Sequence, residues 1–249
     1  MMKWLFALGD FSLFALRLLR HSMMLWRRPL AWLRAVYQAG VLSLPIIVVS
    51  GLFVGMVLAL RAYVNMATFG AQTAAATLVA LALMRELGSV VSALLFAGRA
   101  GSAITAEVGL MNTTEQLAAM EMMGIEPLAQ VGVPRFCGAL LAMPLLAIVC
   151  VAVAMLGAYI VGVWHLGLDG AMFWAQLQRG VDFYHNLFLG VVVKSFVFGA
   201  LCAAIAVHQG FVAPPTAQGL ANATTRTVVL SSLAVLAADF LLTAMMVGM

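Results

Sequence analysis

Four ionisable residues, Arg85, Glu86, Lys194 and Asp239, lie inside runs of apolar sequence. An ionised side chain at the centre of a bilayer costs at least about 2.5 to 3.5 kcal/mol, so such groups face a cavity or one another. Arg85 and Glu86 are chain neighbours and point roughly 100° apart on a helix, so they do not simply neutralise each other. Each therefore needs a partner on another helix. Glu86 with Lys194 and Arg85 with Asp239 are the candidate pairs, and the spacing alone leaves the pairing open. Two roles suit such a set: a structural bridge between helices, or a receptor for a phosphate-bearing group. A phosphate would select the cations Arg85 and Lys194, while Glu86 and Asp239 would keep the empty site neutral.

A second constellation lies between residues 94 and 135, where Glu107, Glu115, Glu121 and Glu126 make the most acidic stretch of the chain. No Lys or Arg intervenes between Arg99 and Arg135, so the segment suits a docking surface. Asn112 followed three residues later by Glu115 predicts a helix start with a reciprocal cap, and Gly124 and Pro127 supply the stop. The result is a short helix of about three turns over 112–124, too polar to insert in lipid. An ordinary solvated connecting helix has the same composition.

Other chemistry lacks its motif. Cys137, Cys150 and Cys202 lie in apolar runs without a Cys-x-x-Cys spacing, and His21, His165, His185 and His208 form no His-Glu-x-x-His pattern, so no metal site is expected. No Gly-x-x-x-x-Gly-Lys-Ser/Thr loop for ATP and no Gly-x-Ser-x-Gly elbow occurs, and Asp10, Asp169, Asp182 and Asp239 are isolated. No catalytic residues are therefore assigned, and the chain is not expected to be an enzyme or to hold a cofactor.

The elements that must position these residues follow from composition. Hydrophobic residues make up 65% of the 249, charged ones 9%, and mean hydropathy is +1.09, too few charges to cover a water-soluble surface. Residues 41–60 are an uncharged run with Gly51 and Gly55 four apart, a spacing that lets helices approach closely in lipid. Further apolar runs at 74–97, 136–163, 183–207 and 227 to the end give five spanning helices in an all-α membrane fold. The run from Trp4 to Leu19 is broken by Asp10 and Arg17, which predicts a helix lying in the interface within a segment 1–40, ahead of a five-helix domain 41–249.

Net charge is +4, with Lys3, Arg17, Arg20, Arg27, Arg28 and Arg34 ahead of residue 40 among aromatic residues. That mixture points to anionic lipid headgroups and away from nucleic acid. It also sets the N-terminus in the cytoplasm and, after five spans, the C-terminus in the periplasm. On the first span Leu58, Ala62, Met66 and Phe69 follow i, i+4, i+8 and i+11 and share a face. With Arg85, Glu86 and Leu87 they form a candidate lipid pocket, although ordinary lipid-facing or core positions show the same pattern.

Several runs carry a specific resemblance: Leu83-Met84-Arg85-Glu86-Leu87-Gly88, Ala97-Gly98-Arg99-Ala100-Gly101-Ser102, Ala106-Glu107-Val108-Gly109-Leu110-Met111, Glu115-Gln116-Leu117, Met123-Gly124, Pro134-Arg135 and Ala223 to Val229. Over residues 40–249 the chain resembles the MlaE/YrbE permease family. The resemblance implies a homodimeric permease of an ABC system in the inner membrane of a Gram-negative bacterium, moving phospholipid between inner and outer membranes. It further implies a cytoplasmic ABC ATPase that binds the ATP, a STAS-domain protein, and a periplasmic ring of MCE-domain subunits. The helix near Glu115, Gln116, Glu121, Met123 and Gly124, with Glu107 ahead of it, would then couple to the ATPase.

Two other readings make different demands. A secondary transporter would use Glu86 and Asp239 as proton carriers and need no ATPase, but no inverted repeat supports it. An intramembrane enzyme would need the clustered aspartates or the nucleophile elbow that the sequence lacks.

Overall fold

A computed structural model describes residues 9, 13–18, 20, 29–71, 74–180, 182 and 184–247. Among the described residues the elements are all helical. They are α1 (Pro29–Ala39), α2 (Leu44–Ala67), α3 (Ala75–Thr113), α4 (Gln116–Met122), α5 (Leu128–His165), α6 (Gly170–Gly180), α7 (Asn186–Val212) and α8 (Ala217–Val247). Among the described residues five helices are long and apolar enough to cross a membrane: Trp32–Ala67, which takes in α2 and most of α1, then α3, α5, α7 and Ala217–Met246 of α8. Most of the expected interfacial helix, with Lys3, Arg27 and Arg28, lies outside the described residues.

The helices run further than the apolar stretches that announce them. The run ending near Ala97 continues in α3 to Thr113, and the fifth helix begins at Ala217 rather than Thr227. The extensions form because their polar groups find partners. Asn112 Nδ2 donates to the carbonyl of Ala213 at 2.9 Å, and Arg135 Nε donates to Glu107 Oε2 at 3.2 Å. Asn112 therefore does not cap a helix, as its spacing from Glu115 suggested, but ends a long one. The short helix α4 starts at Gln116 with no side-chain cap, because Glu115 itself turns the chain with φ 57°. It holds seven residues rather than about three turns, and Gly124, at φ 73°, ends it as expected. One helix, α6, falls outside the sequence expectations.

The chain gathers into two compact units, each made of three stretches. The first comprises Met1–Leu42, Phe96–Ala142 and Phe198–Val235. Buried hydroxyls join its helices: Thr105 Oγ1 lies 2.8 Å from Thr227 Oγ1 and donates to the Ala206 carbonyl at 2.9 Å. In lipid such bonds replace the hydrophobic effect as interhelical glue.

The second unit comprises Ser43–Leu95, Met143–Val197 and Leu236–Met249. Its core is an apolar cluster that includes Val79, Leu83, Met84, Val151, Phe173 and Val191. The two glycines expected to allow close approach do so. Cβ atoms at Gly51 and Gly55 would meet the backbones of Cys150 and Ala154, which seats α2 directly on α5. The helix α6 packs Phe173 and Leu177 into the same core and follows Asp169, whose carboxylate accepts the Ala171 amide at 3.0 Å.

Candidate functional site

The second unit places the intramembrane charges on three helices. In α3 the segment Leu83–Leu87 is a π turn, which adds one residue to the helical register. Leu83 and Met84 turn into the core while Arg85 and Glu86 are exposed. Gly190 of α7 lies against this turn, and a Cβ there would come within 2.6 Å of the Met84 carbonyl and 3.4 Å of the Arg85 Cα.

That close approach fixes the pairing the spacing left open. Lys194 is 2% exposed, and its ammonium donates to Asp239 Oδ1 at 3.0 Å, Thr243 Oγ1 at 2.7 Å and the Arg85 carbonyl at 2.8 Å. An ammonium has three donors, and all three are engaged. Arg85 Nε donates to Asn186 Oδ1 at 2.8 Å. Neither candidate pair forms: Lys194 pairs with Asp239 rather than Glu86, and Arg85 with a neutral amide rather than Asp239. The Glu86 carboxylate has no partner among the described residues.

The division of labour is chemical. Asp239 cancels the charge of Lys194, and the ammonium is closed to further ligands. Arg85 keeps an uncancelled charge and an exposed side chain, so of the two cations it is the one open to a phosphate.

The acyl-chain candidates separate. Leu58 and Ala62 are half-buried and pack against the apolar cluster, as does Leu87. Met66 is half-buried in the last turn of α2. Phe69 lies beyond the end of the helix at Ala67 and is 80% exposed, so it does not continue the face shared by the other three. Two cavities in this unit, of about 10 and 20 Å³ and both bordered by Phe173, are water-sized at most.

In the first unit the acidic segment also divides. Glu115, Gln116, Glu121, Met123 and Gly124 are exposed around α4, which is anchored by the buried Leu117. Met122 adds an apolar side chain that is 87% exposed. Glu107 does not join them, because its ion pair with Arg135 holds it against α5. A cleft of about 90 Å³ lies beside that pair, where Arg99 Nη1 donates to the Gln38 carbonyl at 2.6 Å.

Residues 32–245 match the family described as Permease MlaE. The chain belongs to the MlaE permease family. Among its relatives is the intermembrane phospholipid transport system permease protein MlaE of Haemophilus influenzae, 48% identical over 86% of this chain and 82% of that protein. A probable ABC transporter permease protein of Rickettsia conorii is 33% identical over 97% of this chain and 92% of that protein. The chloroplastic protein TRIGALACTOSYLDIACYLGLYCEROL 1 of Arabidopsis thaliana is 29% identical over 87% of this chain and 61% of that protein. As an MlaE-family permease with five apolar helices, the chain is a multi-pass membrane protein.

Sequence reasoning about this permease overlooked Asn186, Thr243 and α6. A search for charges passes over a neutral amide and a hydroxyl, although both lie in apolar helices where an unpaired polar group is costly. Asp169 followed by Phe173 and Leu177 was a legible start for α6.

Proposed function

We propose that this chain is the membrane-spanning subunit of an ABC transporter that moves phospholipid between the inner and outer membranes, driven by a separate ATPase. The observation that carries this reading is the 48% identity, over most of both chains, to a permease named for intermembrane phospholipid transport. Two features of the geometry support it. Arg85 offers an exposed guanidinium within a membrane-spanning helix, suited to a phosphate headgroup. The turn around α4 offers exposed carboxylates and methionines, suited to seating in a partner.

In this reading the chain works as a homodimer in the inner membrane of a Gram-negative bacterium. Its N-terminus and α4 face the cytoplasm, and its C-terminus the periplasm. The ATPase docks on Glu115, Gln116, Glu121, Met123 and Gly124, with Glu107 bracing the segment through Arg135. A STAS-domain protein binds the ATPase, and an MCE-domain ring receives lipid on the periplasmic side. The lipid contacts Leu58, Ala62, Met66, Phe69 and Leu87 through its chains and Arg85 and Glu86 through its headgroup. The permease carries out no covalent step; ATP bound by the partner shifts it between states that load and release lipid.

The test is purification in mild detergent with whatever accompanies the chain, followed by protein identification and mass spectrometry of extracted lipid. An ATPase and phospholipid should accompany the native chain, and Glu115→Lys should lose the ATPase while keeping the lipid. A chain that arrives without either would sink the reading.

A further inference from the structure

We propose that Asn186 is the positioning residue that presents Arg85 to a phosphate group, an inference that rests on the headgroup role given to Arg85 above. Asn186 is 3% exposed, and its side-chain oxygen accepts the Arg85 Nε hydrogen at 2.8 Å. This contact takes one edge of the guanidinium. The opposite edge, the paired Nη1 and Nη2 groups, has no partner among the described residues and forms the fork that grips two phosphate oxygens at once.

The identity of the acceptor matters. A carboxylate at position 186 would hold Arg85 at least as firmly but would cancel its charge, as Asp239 does for Lys194. An amide oxygen fixes orientation and leaves the charge for the ligand. The fixation itself favours binding, because an arginine already held in place loses less side-chain freedom when phosphate arrives. Backbone geometry sets the reach. Gly190, one helical turn from Asn186, lets α7 lie against the Met84–Arg85 backbone, and a larger residue there would push the amide away.

The full chain, purified in nonionic detergent, is incubated with phosphatidylethanolamine carrying a fluorescent acyl chain, or with diacylglycerol carrying the same chains. Retained lipid per protein is counted for the native chain, Arg85→Gln, Asn186→Asp and Asn186→Ser. Asn186→Asp should lower phosphatidylethanolamine retention on the order of tenfold, leave diacylglycerol retention unchanged, and leave the unfolding temperature equal or higher. Asn186→Ser, too short to reach Nε, should show a selective loss of the same kind if the aspartate variant fails to fold. Arg85→Gln should match Asn186→Asp.

Loss of phosphatidylethanolamine in Arg85→Gln but not in the Asn186 variants overturns the proposal and leaves the headgroup reading standing. Equal loss of both lipids in the folded Asn186 variants reduces Asn186 to a structural role. Full retention in Arg85→Gln overturns the headgroup reading, and the proposal with it.

Discussion

The ion pairs Lys194–Asp239 and Arg135–Glu107 differ in surroundings, and the difference sets what each is worth. Lys194 is 2% exposed and saturated with acceptors, whereas Glu107 keeps 41% of its side chain exposed beside Arg135. Breaking a buried pair leaves an uncompensated charge, at a cost of about 3 to 5 kcal/mol. Lys194→Met should therefore lower stability by about 3 kcal/mol in thermal unfolding, and adding Asp239→Leu should recover most of that loss. Glu107→Ala, measured in the same way, should cost less than about 1 kcal/mol, because an exposed pair is screened by solvent. An equal cost for both would contradict the assigned burial.

Glycines let backbones meet at particular helix contacts. In the second unit Gly55 packs so closely on α5 that a Cβ would overlap the Ala154 backbone, whereas Gly98, in the part of α3 that belongs to the first unit, has nothing within 4 Å. Gly55→Val should lower the unfolding temperature by the equivalent of about 1 to 3 kcal/mol, and Gly98→Ala should leave it nearly unchanged. The turn into α4 stores a smaller strain, since Glu115 holds a left-handed backbone that costs a non-glycine residue about 1 kcal/mol. Glu115→Gly should raise stability by up to about that amount. If the carboxylate seats the ATPase, the same variant should reduce ATPase retention, so stability and coupling would move in opposite directions.

At the scale of the whole molecule, the proposed orientation, with the basic N-terminal region in the cytoplasm, makes a prediction for each side of the membrane. With Cys137, Cys150 and Cys202 replaced by alanine, a cysteine at Thr114 should react with an impermeant maleimide only after spheroplasts are lysed. A cysteine at Asp169 should react from outside intact spheroplasts. The reverse pattern would invert the orientation and remove α4 from the reach of a cytoplasmic ATPase.

Much of this was legible in the chain itself. Lipid offers no partner for backbone polar groups, so apolar runs of sufficient length must be helices, and their number and order follow from composition. The Gly51-x-x-x-Gly55 spacing announced a close helix contact for a related reason, since only the absence of side chains lets backbones meet. The motifs around Arg85, Arg99 and Glu107 pointed to the family before any fold was known. What spacing could not supply was the choice of partners. Whether Lys194 meets Glu86 or Asp239 depends on how three helices are rotated against one another, and a single π turn shifts that rotation by a residue. The neutral groups Asn186 and Thr243 and the left-handed turn at Glu115 acquire meaning only once distant segments are packed, because a polar side chain in an apolar run shows its need for a partner but not which partner it finds.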